Sequence, residues 1–217
     1  MANRSSEMTV SGNAAATHGL RDEEQPELVA RASRLSDVAG VSRLVRFVAS
    51  YLVESGRVLR DGETVAYGTW LLKAVRAGEF LELHEFEPRT QGFVPTISSA
   101  VRLREQQDQK CREHGLVCDP PTFHQKVAIS EGYEQPGVVL EGVRYHAPPH
   151  MSGWYITTDS FSGNVGELRG IHAWHVVAHA RPEVGGLLGL PAGSRFRVER
   201  DGQVTAWFDE KVASESA

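Results

Sequence analysis

The sequence contains few cysteines, and their spacing excludes the usual thiol-based sites. Its 217 residues include two, Cys111 and Cys118, and neither belongs to a C-x-x-C motif. A disulfide framework, or a zinc site made of thiolates alone, requires more cysteines at closer spacing. We therefore expect both thiols to be reduced and the protein to be cytoplasmic.

Long apolar runs and nucleotide-binding glycine motifs are also absent. No stretch approaches the ~18 consecutive apolar residues of a membrane span, and residues 1–27 lack the apolar centre of a secretory signal. Neither G-x-x-x-x-G-K-[ST] nor G-x-G-x-x-G after a strand occurs, so nucleotide binding has no motif support. The net charge of −5 disfavours nucleic acid, which binds basic surfaces. We expect neither a membrane nor a nucleic-acid partner.

No set of residues forms a complete catalytic signature. Ser152 lacks the G-x-S-x-G elbow of serine hydrolases, and no third group is evident to orient His114 as a base for Cys111 or Cys118. The glutamates of segment 80–87 lie on a predicted strand, where we interpret them as a solvated face. We predict that the protein is not an enzyme and holds no cofactor.

Three histidines provide the strongest alternative to that prediction. His172, His175 and His179 recur at i, i+3 and i+7, which places them on one side of a predicted helix. The first and last would lie about 10 Å apart along the axis, so a metal would need another ligand such as Glu183 or Asp159. We interpret these histidines as bonded to loop carbonyls or to solvent. A small metal-dependent hydrolase is the alternative hypothesis.

Composition and proline positions divide the chain into two halves with short tails. The proline pair after Asp119 marks the internal boundary, because proline excludes the preceding residue from a helix. The predicted segments are a disordered tail (1–25), an N-terminal α+β extension (26–119), a second α+β domain (120–211) and a frayed tail (212–217). The predicted fold class is α+β, with two closely packed halves that each contain a small, mostly antiparallel sheet flanked by helices.

Hydrophobic periodicity predicts the elements of the N-terminal half. They are a helical turn over residues 26–32, an amphipathic helix over Val38–Ser55 closed by Gly56, a strand within residues 64–75, a strand over residues 80–87 with a bulge near Glu85, and a helix over residues 98–114.

Turn signals and β-propensity predict the elements of the C-terminal half. They are strands at residues 123–130, 138–145 and 153–158, a helix from Leu168 to His179, a helical turn from Pro182, and a hairpin of residues 194–200 and 204–208 that turns at Asp201-Gly202. We interpret Trp154, Trp174 and Trp207 as core residues. A tryptophan on the surface would instead indicate a hot spot for protein contact.

The C-terminal half also carries a family resemblance. Its motifs are P-P-T-F-H-Q-K-V from Pro120, the strand residues Gly153, Trp154 and Tyr155, a helix with His175, the turn at Arg181 and Pro182, the segment with Leu190, Pro191, Gly193, Arg195 and Phe196, and the terminal Trp207 and Asp209. Over about Pro120 to Lys211, this pattern resembles the immunity-protein domain numbered thirty-three among families encoded beside bacterial polymorphic toxins.

The resemblance implies a protein that binds and occludes a cognate toxin without catalysis. The motif residues it transfers are mainly structural, and the partner-binding residues and oligomeric state are not implied by it. The excess of acidic residues would steer association with a basic toxin, of the nuclease type for example. A ligand-binding accessory domain with a pocket between the halves is a further alternative.

Overall fold

The computed structural model describes residues 7–215, apart from the side chains of His179, Ala180 and Pro182. It consists of two compact units, Met1–Leu103 and Arg104–Ala217. The predicted boundary after Asp119 lies further along the chain than this division. Each unit contains a mixed sheet with helices, which confirms the α+β fold class.

The N-terminal unit is built on a seven-stranded sheet. Its strands are β1 (Glu7–Ser11), β2 (Ala14–His18), β3 (Glu27–Arg31), β4 (Thr64–Tyr67), β5 (Trp70–Ala77), β6 (Phe80–Glu87) and β7 (Gly92–Val94). The order is β1-β2-β3-β6-β5-β4, with β7 also paired to β6. β3 and β6 run parallel, and the other neighbours are antiparallel.

The start of this sheet differs from the sequence prediction. We expected a disordered tail over residues 1–25 and a helical turn over 26–32, whereas the described part of the tail forms β1 and β2, and β3 follows. Leu28 and Ala30 are fully buried on alternate positions of β3, and the Thr17 hydroxyl donates to Glu27 at 2.7 Å. Pairing with β2 and β6 therefore overrides the helical spacing of the apolar residues.

Two helices match their predicted positions. Helix α1 (Val38–Ser55) buries the apolar face that contains Val41, Leu44 and Val48. It ends at Gly56, whose φ of 64° is the left-handed conformation that glycine adopts at helix ends. Helix α2 spans Ser98–Glu113.

Strands β4 to β6 differ from the predictions for this half in two details. The segment expected to be one strand is a hairpin, in which β4 and β5 pair on either side of Gly68 and Thr69. The register of β6 with β5 is continuous, so the bulge predicted at Glu85 is absent from this pairing. Glu85 instead points inward and is 3% exposed, and its carboxylate accepts the amides of Ser99 and Ala100 at the start of α2.

The C-terminal unit contains a six-stranded sheet. Its strands are β8 (Lys126–Ile129), β9 (Leu140–Arg144), β10 (Met151–Thr158), β11 (Arg169–His172), β12 (Ser194–Val198) and β13 (Val204–Phe208). The order is β11-β8-β10-β9-β12-β13. Only the β8–β10 pair among these neighbours is parallel. A buried apolar cluster on one face of the sheet includes Val127, Ile156 and Leu188.

The predicted helix from Leu168 to His179 is largely replaced by other structure. Residues 169–172 form β11, because Ile171 pairs with Val127 on β8. Helix α3 (Ala173–His175) follows and continues as a π-helical turn over Val176–Ala180. The side-chain spacing expected of one regular helix therefore does not hold here.

Two predictions for the last part of the chain, the hairpin and the tail, also differ in detail from the structure. The hairpin of β12 and β13 is confirmed, but the Glu199 amide donates to the Gln203 carbonyl at 2.8 Å, so its loop is longer than two residues. The tail predicted to fray contains part of helix α4 (Glu210–Ala213), with Val212 1% exposed. Residues 216–217 lie outside the described part of the chain.

Candidate functional site

The family-motif residues alternate between the two faces of the C-terminal sheet. Side chains of a strand point to opposite faces in turn. On β10, Trp154 is fully buried and Tyr155 is half-buried. On β12, Phe196 is buried and Arg195 is half-buried. One residue of each pair therefore builds the core, and the other is available at the surface.

The inward residues form a tightly packed frame. The Trp154 indole donates to the Leu188 carbonyl at 3.1 Å, and its ring lies 5.2 Å from that of Phe196. Phe196 in turn covers Gly142, where a Cβ would lie 2.1 Å from the ring. Leu190 is 1% exposed in the same cluster. These positions require their residue types for packing.

Strand register places the outward residues in one row. Tyr155 pairs with Val143 on β9, Val143 with Arg195 on β12, and Arg195 with Trp207 on β13. The Tyr145 ring lies 5.7 Å from that of Tyr155 at 82°, an edge-to-face contact. We call these five residues, Val143, Tyr145, Tyr155, Arg195 and Trp207, the open face.

Trp207 was expected in the core, and that expectation is wrong. Its side chain is 43% exposed, because β13 is the last strand of the sheet and Trp207 lies on its outward side. Tryptophan is usually well buried, and exposed tryptophan is enriched at protein contacts. The exposure of Trp207 therefore fits the alternative interpretation, in which a tryptophan on the surface indicates a hot spot for protein contact.

Arg195 and Asp209 fix the edge of the open face. The Arg195 guanidinium donates to Asp209 at 2.9 Å, while the other carboxylate oxygen accepts the amides of Lys211 and Val212 and caps α4. Desolvation would raise the pKa of Asp209, but the hydrogen bonds from Val212 and Lys211 and the charge of Arg195 lower it overall. Asp209 is thus held ionised beside the arginine.

An acidic surface borders the open face at the loops that follow β8, β10 and β12. Arg197, two residues beyond Arg195, contacts Glu141 and also donates to Glu199 at 2.6 Å. We call the surrounding carboxylates the acidic rim, comprising Glu131, Glu134, Glu141, Asp159, Glu167, Glu199 and Asp201. Clefts at this end are lined by rim residues.

The rim accounts for the charge of its unit. Its seven carboxylates lie with three basic side chains, Arg169, Arg197 and Arg200, for a net of −4. The whole unit Arg104–Ala217 has 15 acidic and 11 basic residues, also −4, while Met1–Leu103 has 13 and 12, or −1. The negative charge of the chain is therefore concentrated at this end of the second unit.

Two further motif residues, Arg181 and Gly193, lie at closely packed positions of the same unit. Arg181 is 6% exposed, and its guanidinium contacts Glu183 and donates to the carbonyls of Tyr133 and Gln135 at 3.4 Å each. It therefore holds the loop that carries part of the rim. Gly193 has φ 93°, and a Cβ there would lie 2.7 Å from the Phe208 ring. Pro191 is partly exposed, and the Pro182 side chain lies outside the described structure.

No role was predicted for one buried residue, Arg144. It is 5% exposed, donates to Ser152 at 2.9 Å and to Leu190 at 2.6 Å, and also bonds the Asp119 carbonyl. Burial lowers the pKa of Arg144, although the charge of Asp119 opposes this. Its bonds tie three separate segments behind the open face. An arginine at an inward strand position could have indicated such a role.

The histidines of the alternative hypothesis lie apart from the open face. His172 ends β11 and bonds the His124 carbonyl through Nδ1 at 3.0 Å, as expected for a histidine bonded to a loop carbonyl. Its ring lies 6.5 Å from that of His175. The side chain of His179 lies outside the described structure. Among the residues whose side chains are described, no group of three or more metal-ligating residues is placed to hold an ion.

The candidate nucleophiles are unsuited to attack. The Ser152 hydroxyl is 4% exposed and donates to the Lys126 carbonyl at 2.9 Å. Desolvation raises the pKa of both Cys111 and Cys118, so both thiols are protonated at neutral pH. These residues belong to the packing of the domain.

Comparison with known proteins bears on this same region. Residues 106–209 match the family model of the Imm33-like domain, which confirms the resemblance drawn from the sequence. No curated protein and no solved structure matches the chain. Within residues 7–215, none of the helices has the length and apolar character needed to cross a bilayer.

Proposed function

We propose that this protein, whose C-terminal half carries an Imm33-like domain, is a cytoplasmic immunity protein that binds a bacterial toxin and blocks it by occlusion. The family match over residues 106–209 is the observation that carries the proposal. An immunity protein of this kind needs a stable, complementary surface and no catalytic group. The partner is the toxin encoded beside it.

The geometry of the motif residues supports a binding role. Inward residues such as Trp154 and Phe196 make a close-packed frame, and Arg144 ties three segments behind it. A rigid frame lowers the cost of ordering the surface when a partner binds. Ser152, Cys111 and Cys118 contribute to this frame. The hydrogen bond of Ser152 and the raised pKa values of the two thiols do not activate any of them as a nucleophile.

Co-expression with the neighbouring toxin gene tests the proposal. Cells that produce the toxin together with the wild-type protein should grow, and the two purified proteins should form a stable complex. The Arg144→Ala variant is the negative control. It should fail to fold stably and should therefore fail to protect the cells. Growth arrest in the presence of soluble, folded wild-type protein would contradict the proposal.

A further inference from the structure

Building on the proposed function, we infer that the open face and the acidic rim together form the toxin contact, and that the toxin meets them with a cationic surface. The two areas are continuous, because Arg197 and Glu141 lie on the same outward side of the sheet as Arg195 and also belong to the rim region.

The composition of the open face is that of a protein-contact hot spot. Trp, Tyr and Arg dominate binding energies at interfaces because they combine large contact area with few rotatable bonds or several hydrogen bonds. The open face contains two tyrosines, one arginine and Trp207, the last 43% exposed. Tyr145 and Tyr155 brace each other by ring contact, and Arg195 is fixed by Asp209. These side chains are already ordered for contact.

The size of the open face shows that the rim must take part. Four strands spaced by ~4.8 Å and about five residues of ~3.4 Å each give roughly 300 Å² of sheet. A stable complex buries about 800 Å² on each partner. The adjoining loops of the acidic rim are the continuous surface that can supply the difference.

The charge of the rim selects the chemistry of the partner. Arg195 is paired with Asp209, so the open face is close to neutral. The rim carries the net −4 of its unit. Nucleic acid and anionic membranes would be repelled there, and a second copy would bring two acidic rims together. A surface rich in lysine and arginine is complementary.

Two variants and two matched controls test the inference, with a catalytically inactive form of the neighbouring toxin as the probe. Trp207→Ala removes the exposed indole. Phe208→Ala is its control, because Phe208 is also 43% exposed but lies on the opposite side of β13. Glu131→Lys with Glu134→Lys reverses charge on the rim. Its control is Glu23→Lys with Glu54→Lys, which changes the net charge equally at two exposed positions of the first unit.

Association and dissociation rates are measured at low and high salt after thermal melts show that each variant is folded. W207A should weaken affinity by about 30-fold or more, as hot-spot truncations do, while F208A should stay within about threefold of wild type. E131K/E134K should slow association by about tenfold at low salt, and the difference should shrink at high salt. The E23K/E54K control should associate as wild type does.

Wild-type binding by either W207A or E131K/E134K would overturn the inference and leave the proposed function intact. Absence of binding by the wild-type protein itself would overturn both. These two failures are distinguished by the wild-type measurement made in the same experiment.

Discussion

Substituting Gly142 by alanine should destabilise the C-terminal unit through a single contact. Gly142 lies on β9 beneath Phe196, and an added Cβ would lie 2.1 Å from the phenyl ring, far inside van der Waals distance. Phe196 is 1% exposed and packs on Trp154. Because Phe196 is buried against Trp154, the strand or the Trp154–Phe196 pair must move to admit the methyl group.

Two opposing effects set the magnitude. Overpacking a core costs about 1–3 kcal/mol, and the short distance here places Gly142→Ala near the upper end. Alanine recovers roughly 0.5–1 kcal/mol of the entropy that glycine loses in a strand. The net loss should be about 2 kcal/mol, or a fall in melting temperature of roughly 8 °C for a unit of about 110 residues.

Urea and thermal unfolding of the full chain measure this effect. Gly170→Ala is the matched control. Gly170 also lies in a strand, but the atoms nearest to an added Cβ would belong to the flexible Lys126 side chain, the first at 3.3 Å. That variant should be neutral or slightly more stable. Combining Gly142→Ala with Phe196→Leu should recover part of the loss, giving a measurable coupling between the two sites. Unchanged stability of Gly142→Ala would refute the packing described for the sheet.

Three further predictions concern polar groups that are buried or half-buried. Arg144→Lys should destabilise the protein by about 3 kcal/mol, because an ammonium group cannot bond three separated carbonyls as the guanidinium does. A midpoint of urea unfolding equal to that of wild type would contradict this. Desolvation raises the pKa of Glu85 above 4.5, so the folded protein binds the proton of this carboxyl more tightly than the unfolded chain does. The stability that results from this protonation is complete at lower pH and is lost as pH rises through the folded-state pKa. The stability of wild type relative to Glu85→Gln should therefore fall from about pH 4.5 upward, and a rise would show the opposite shift. Cys111 and Cys118 should react with iodoacetamide more slowly than free cysteine at pH 8, because their thiol pKa values are raised. Mass spectrometry follows the labelling, and labelling as fast as that of free cysteine would contradict the raised pKa values.

Local signals in the sequence were sufficient for some elements. Helix α1 has both a strong apolar face and a closing glycine, and it was predicted with its observed bounds. Strand β3 was not, because Leu28 and Val29 fit a helix and a strand equally well, and pairing with β2 and β6 decides between them. The same reason explains β11, whose residues pair with β8, about 40 positions earlier in the chain.

The candidate surface depends even more on non-local pairing. Alternation along β10 and β12 could have indicated that Tyr155 and Arg195 share a face opposite to Trp154 and Phe196. Only the registers of β9, β12 and β13 bring Tyr155, Arg195 and Trp207 into one row. Glu85 illustrates the converse, since its inward position beside the first turn of α2 has no local sequence signal.

Titrating the toxin's activity with the wild-type protein tests most directly whether protection occurs by occlusion. Toxin activity should fall in proportion to the added protein and disappear at an equimolar amount, independent of incubation time, with the masses of both chains unchanged. Loss of activity at a small fraction of one equivalent, progressing with time, would show turnover and would contradict the account.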